Sequence, residues 1–271
     1  MNNKIISLSI LCAISYSAIA QAQAVEEVIV TATKTERTLQ EVPVAVSVVT
    51  ADTIEKANVV DLLDLKAVVP SLDARQYQST TNATFFIRGF GNGSNNPGVE
   101  PSVAVFVDGV YRSKIQGQLS DLPMLERIEV LRGPQSTLFG KNASAGVVNI
   151  VTKKPSFENF GKATFEVGDY NSKVAKIYYT GPINDSVAYS FSANVNQRDG
   201  QSGNPTTGNK LNDRDRFSYR AELLFAPADD FSARLTFDYD EFDEICCVIG
   251  STAYGTGNQV IAFLGGKVVP N

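Results

Sequence analysis

Histidine is missing from all 271 residues, and cysteine occurs only at Cys12, Cys246 and Cys247. Without an imidazole this stretch can build neither a Ser-His triad nor a histidine site for haem or zinc. So few cysteines, one of them inside an N-terminal segment expected to be removed, exclude a disulfide scaffold. Two pairings stay open for Cys246 and Cys247: with each other, or with cysteines further along a longer chain. Basic charge is also in deficit. The net charge of −5 becomes about −6 once Lys4 is removed, which argues against nucleic acid as a partner.

Phosphate and calcium loops are missing too. Gly89 and Gly91 would need a third glycine for a dinucleotide fingerprint, but that position is Ser94 and no helix follows. The Gly133–Lys141 loop lacks both the spacing and the Ser/Thr of a phosphate loop. In the acidic run Asp238–Glu244, Phe242 occupies a calcium-ligand position and the loop glycine is absent, so it reads as solvated surface. No enzyme chemistry, metal site or cofactor is expected.

What is present is ordered. Lys4, the apolar run Ile5–Ile14 and the small residues Ala20, Ala22 and Ala24 form a secretory signal peptide over residues 1–24, with cleavage after Ala22 as the alternative, too short to span a bilayer as a helix. Leu11 before Cys12 excludes a lipid anchor. Residues 25–33, VEEVIVTAT, place two acids before a β-branched run, and the polar residues 34–41 read as a linker. Val42–Val49 reads as a strand, and Thr50 caps a helix to about Ala57. Asn58 starts a second helix over Val59–Val68, with Leu62, Leu65 and Val69 at helical spacing and Pro70 as the stop. Short strands follow at 71–75, 84–88, 103–107, 128–131 and 147–152. Asp108-Gly109 is a hairpin turn, and the run Arg127–Pro155 adds a strand, a tight Gly133-Pro134 turn and a helical turn near Leu138. Residues 42–155 are thus an α+β domain.

After Pro155 the period becomes two. Five segments alternate apolar and polar residues, among them 163–167, 187–196, 217–225 and 231–240, with 173–180 less regular. Their length of about ten residues, aromatics near their ends, and short connections (181–185, 227–230) beside a long one (197–215) favour a transmembrane barrel over a soluble sandwich.

In order, the chain carries VEEVIVTATKTE, VPVAVSVVTADTIE, DLLDLKAVVPSL, FFIRGFG, VAVFVDGVY and LERIEVLRGPQSTLFGKNASAGVVNIVTKKP. This series resembles the TonB-dependent outer-membrane receptors nearly end to end. The resemblance implies an α+β plug domain (42–155) followed by the first antiparallel strands of a 22-stranded transmembrane β-barrel (156–271). Five strands cannot close, and open edges are prohibitive in lipid, so a fragment of a longer protein or a truncated product is expected. It implies TonB-dependent import across the outer membrane, driven by TonB with ExbB and ExbD. The cargo would be a metal chelate such as an iron–siderophore complex, cobalamin or an oligosaccharide. Glu27, Val28, Ile29, Val30, Thr31 and Ala32 would be the TonB box, captured by strand addition. Arg88 and Arg132 would tie plug to barrel, unless Glu126 or Glu129 holds them within the plug. Phe90, Asn92, Asn95, Asn96, Tyr111 and Arg112 are the ligand-contact candidates. A passive porin or adhesin barrel, and a secreted soluble β-rich binding protein, are the alternatives.

Overall fold

The structure, a computed structural model, describes residues 28–31, 34–35, 37–59, 61–76, 83–92, 98–113, 124–204, 207–228, 230–245, 259–260 and 263–265. The expected signal peptide and Glu27, Ala32, Asn95, Asn96, Cys246 and Cys247 lie outside the described residues.

The first described element is a hairpin, β1 (Ile29–Val30) against β2 (Arg37–Thr38), continued by a 3-10 turn at Leu39–Glu41. Residues 37–41, read as part of a linker, are therefore folded. β3 (Val46–Thr50) starts four residues later than the sequence suggests, because Pro43 has no N–H to give a ladder. α1 (Ala51–Lys56) follows, capped by the Thr50 hydroxyl, which accepts the Thr53 N–H at 3.4 Å.

The second expected helix does not form. Asn58 turns away with φ 49°, and only a 3-10 turn at Asp64–Ala67 appears. The Asp61 carboxylate accepts the Leu63 N–H at 2.9 Å and the Asp64 carboxylate the Asp61 N–H at 3.2 Å. Such local bonds offer the backbone an alternative to helix. The apolar spacing still buries Leu62, Leu65 and Val69.

β4 (Leu72–Gln76), β5 (Ala83–Ile87) and β6 (Phe90–Gly91) make a small antiparallel sheet. β7 (Val103–Val107) and β8 (Val110–Tyr111) are joined by Asp108 and Gly109, both left-handed at φ 48° and 81°. β9 (Leu125–Arg132), α2 (Ser136–Phe139) and β10 (Gly146–Thr152) complete the unit. Its main sheet runs β3-β9-β10-β7-β8, with β10 parallel to β7 and antiparallel to β9. Both faces are covered, as the unbroken apolar run of β7 demands. Val105, Ile128, Val148 and Ile150 pack on Phe85, Leu62 and Leu65. On the other face Ala104, Phe106, Leu131 and Val147 pack beneath Val30 and Val42. Gly146 permits close approach of β5, since a Cβ there would sit 2.5 Å from Cδ1 of Ile87.

The rest is a meander: β11 (Phe160–Gly168), β12 (Ser172–Asn184), β13 (Val187–Arg198), a long connection with β14 (Ser202–Gly203) and β15 (Lys210–Leu211), β16 (Arg214–Ala228) and β17 (Phe231–Phe242). Its sheet order, β11-β12-β13-β16-β17, is antiparallel throughout. All five long strands extend further than their alternation alone suggests. The inside-out burial decides what this sheet is. Thr180, Ser190, Asn196, Arg216, Arg220 and Glu222 are buried toward the first unit, while Phe165 is 75% and Leu235 69% exposed on the far face. A water-soluble layer would bury the second set and solvate the first. From Val187 to Val195 the apolar band runs about 27 Å along β13, and Phe225 with Phe231 at one end and Phe217 with Tyr239 at the other supply ring pairs. This is the outer face of a membrane barrel wall.

Candidate functional site

Two places join the chain's parts through buried charge. The first lies under β1. Val30 is fully buried against Ala104, Phe106, Leu131 and Val147, while Ile29 points outward. Thr31 then donates its N–H to Oε1 of Glu129 at 2.8 Å and its hydroxyl to the same oxygen at 3.1 Å. Glu129 is wholly buried in β9. It also accepts from Nε of Arg127 at 2.8 Å and from Nδ2 of Asn149 at 3.1 Å. Four donors thereby satisfy a charge that would otherwise be costly to bury. Asn149 reaches Thr31 Oγ1 as well, at 3.1 Å. The hairpin is closed by the Leu39 N–H on the Val28 carbonyl at 2.9 Å, and Lys34 sets its ammonium 5.4 Å from the Phe139 ring centroid. Residues 28–31, expected to serve as a strand for TonB, are thus folded onto the sheet.

The second place is the seam between the first unit and the wall. Asp108, in the β7–β8 turn, holds Thr152 through its N–H at 2.9 Å and its hydroxyl at 2.7 Å. It also pairs with Arg220 and Arg234 of the wall. Arg220 continues to Asp238 at 2.6 Å and to Glu222 at 2.9 Å, and Glu222 takes hydrogen bonds from Ser190 and Thr236, each at 3.1 Å. Further along, Asp61 is buried against Arg216 at 3.2 Å and Arg214 at 3.4 Å, and Arg216 also pairs with Glu244. Lys162 and Glu55 bridge the seam at 2.7 Å.

The sequence reading missed Asp61, Asp108 and this set of wall charges. Their signal was available: Arg216, Arg220, Glu222, Arg234 and Asp238 all fall on the polar phase of the alternation. The acidic run Asp238–Glu244, read as solvated, is corrected at its two ends, while Glu241 and Asp243 between them are exposed. The Asp238 carboxylate faces Arg220 and Arg112, and the Glu244 side chain is only 3% exposed beside Arg216.

Arg88 is exposed at the end of β5 with φ 54°, its N–H donating to the Ser71 carbonyl at 2.9 Å. Arg132 keeps its Nε buried with no acceptor among the described residues. Neither Glu126 nor Glu129 is paired with them, since both carboxylates take Arg127.

Of the ligand-contact candidates, Phe90 is 74% exposed. Asn92 donates to the Glu100 carbonyl at 3.1 Å. Tyr111 packs on Phe106 and accepts from Asn142 at 2.6 Å; partial burial pushes its phenol pKa above the ordinary value despite that hydrogen bond. Arg112 crosses the seam to Asp238 at 3.1 Å. It borders a cavity of about 250 Å³ between α1 and the wall, with Asn58, Lys162, Tyr178, Ser192 and Asp240 among its lining. Among the described residues no cluster of acidic or cysteine side chains is arranged to hold a metal.

Residues 38–147 match the family model described as the TonB-dependent receptor plug domain. The iron-regulated outer membrane virulence protein of Vibrio cholerae is 30% identical over 218 residues, covering 72% of this chain and 32% of that protein. The pesticin receptor of Yersinia pestis is 32% identical over 197 residues, covering 70% and 29%. Among solved structures, the ferric yersiniabactin uptake receptor FyuA from Yersinia pestis aligns with a TM-score of 0.65 at 30% identity, covering 69% of this chain and 29% of that one. The pyoverdine receptor FpvA of Pseudomonas aeruginosa, at 21% identity and a TM-score of 0.65 over 78% of this chain and 30% of its own, supports the fold alone. The chain spans about a third of the length of the curated relatives it matches. With a plug seated on the polar inner face of a membrane-type wall, it belongs to the TonB-dependent receptors of the Gram-negative outer membrane.

Proposed function

We propose that the protein to which this chain belongs imports a scarce ligand across the outer membrane, energised by TonB with ExbB and ExbD. Residues 1–24 are the removed signal peptide, 25–41 the box and linker, 42–155 the plug and 156–271 the opening of the barrel. Import is by gating, with no bond made or broken in the cargo. The cargo class we favour is an iron–siderophore complex, because relatives named for iron regulation and for ferric yersiniabactin uptake stand among the similar proteins. Cobalamin remains in view through the vitamin B12 transporter BtuB of Vibrio vulnificus, 28% identical over 224 residues, covering 80% of this chain and 35% of that protein.

One observation carries the reading: β1 lies outside the plug's main ladder and is hooked onto its face through Thr31 and Glu129. Residues 27–32 can then leave as a unit, and a pull on them is delivered to a plug otherwise anchored to the wall. TonB would take them by adding a strand, main-chain bonds supplying affinity. Arg88 and Arg132 would meet acids on wall strands outside this chain, which suits the unsatisfied Nε of Arg132. Phe90, Asn92, Asn95, Asn96, Tyr111 and Arg112 would contact the ligand from plug loops. Ile29→Pro should abolish energised uptake and leave ligand binding intact, since proline cannot donate to an added strand. A passive porin would import equally well in cells lacking TonB, and that result would sink the proposal.

A further inference from the structure

The cavity between α1 and the wall has two unlike faces. Its floor belongs to the plug: Ile54, Val59, Val107, Leu125 and Ile150, all members of the core cluster that holds Phe85. Ile54 and Val107 keep 9% and 8% of their surface uncovered, whereas Val105, two residues back on β7, keeps 1%. The apolar core thus ends at a void. The roof belongs to the inner face of the wall, where Thr164, Tyr178, Ser192 and Ser218 offer hydroxyls and Asn194 an amide. Ser192 sits at its middle, registered against Tyr178 on β12 and Arg220 on β16. Water in such a space bonds to the roof but finds no partner on the floor, and a guest with one apolar face displaces it at a gain.

Size and charge narrow the guest. An apolar cavity of about 150 Å³ accepts one benzene ring. The volume of about 250 Å³ here suits a body of two fused rings. The lining carries four cations and four acids, so it has no net charge to offer. Lys162 meets Glu55 at 2.7 Å, and Arg112 and Arg220 meet Asp238 at 3.1 and 2.6 Å. A charged guest would unbalance that set and surrender its own hydration, whereas an uncharged one does neither.

We propose that this chamber is a binding site for a small uncharged molecule with a two-ring apolar body and one hydroxyl or amide edge, and that its occupant bridges plug and wall. The rings lie on Ile54, Val107 and Ile150, and the polar edge meets Ser192 and Tyr178. A guest so placed adds contacts across a seam otherwise held by ion pairs, and therefore keeps the plug on the wall. The site needs only the plug seated as it is here; it stands whichever cargo is carried.

The test titrates 2-naphthol, with 2-naphthoate as its charged counterpart, against the protein that contains this chain in lipid nanodiscs. Binding is followed by ligand-observed NMR, and empty nanodiscs give the lipid background. Ala51→Phe fills the chamber from α1 and Ser192→Phe from the wall, so one variant carries the test where the other folds poorly; heat-modifiable mobility on gels shows which are folded. Saturable 2-naphthol binding is expected, about tenfold weaker in either filled variant because the new ring must be displaced from a packed site. Binding of 2-naphthoate should be weaker by a similar factor. Saturating 2-naphthol should slow limited proteolysis of the plug severalfold, and leave the filled variants unaffected. Binding no stronger than to empty nanodiscs, or equal in the filled variants, would mean an adventitious additive only and would overturn the site. Equal binding of 2-naphthoate would overturn the ligand class, and binding without slower proteolysis would overturn the bridge.

Discussion

The Thr152 hydroxyl lies 2.7 Å from Oδ2 of Asp108 and 2.7 Å from Nη2 of Arg234, so one plug residue joins the plug's own turn to the wall. Asn149, three residues earlier on β10, touches the docked hairpin. A single strand thus carries the plug's attachment to the barrel near one end and its attachment to the N-terminal segment near its middle.

Asp108→Asn should weaken the seam without disturbing the turn, because asparagine tolerates the left-handed φ of 48° that Asp108 adopts. The charge is lost opposite Arg220 and Arg234, but Glu222 and Asp238 still neutralise them. The cost is therefore at the lower end for a buried pair, about 2–3 kcal/mol. Limited proteolysis of the plug in intact outer membranes should quicken, and thermal unfolding of the plug should come earlier. An unaltered proteolysis pattern would mean that the seam is held elsewhere.

Asp61 and Arg216 are 1% and 3% exposed in their side chains, and both lie where sequence reading expected nothing. Removing Asp61 leaves Arg216 with Glu244 and uncovers the Leu63 N–H, while removing Arg216 leaves two acids facing each other. A double-mutant cycle with Asp61→Asn and Arg216→Met should give a coupling of about 1–3 kcal/mol. A coupling near zero would show that Arg214 alone suffices for Asp61.

How far the sequence could lead is clear from these residues. The period-two pattern marked all five wall strands, and Asp108-Gly109 marked its hairpin, because both are short-range signals. Residues 59–68 misled: helical spacing of Leu62, Leu65 and Val69 was real, but it served burial under β5 while Asp61 and Asp64 bonded locally. The partner of each buried charge was out of reach, since Asp61 and Arg216 are brought together across 155 residues by topology alone. Thr31 and Glu129 are likewise 98 residues apart. Position 31 could be read as polar within an extended run, but not as a hook.

Gly146→Ala tests the packing of the plug. Its Cβ would meet the Leu131 carbonyl and Cδ1 of Ile87, neither of which is the loose end of a long side chain on the surface. Overpacking of this kind costs about 1–3 kcal/mol. Denaturant unfolding should shift to lower midpoint with β5 affected first, which hydrogen exchange at Phe85 and Ile87 would register. A neutral outcome would imply that β5 and β10 separate more easily than their contact suggests.

Leu235→Lys addresses the membrane assignment itself. Leu235 is registered against Leu223, which is registered against Tyr189, near the middle of the apolar band between Phe231 and Tyr239. A lysine at the bilayer midplane of a barrel costs about 2–4 kcal/mol, whereas an exposed surface leucine of a soluble protein could be replaced for roughly ±0.5 kcal/mol. Folding of the variant into lipid vesicles should therefore be impaired by that larger amount, with Glu241→Lys, beyond the band on the same strand and face, nearly neutral. Equal tolerance at both positions would remove lipid from the far face of the sheet, and with it the reason for a polar face turned toward the plug.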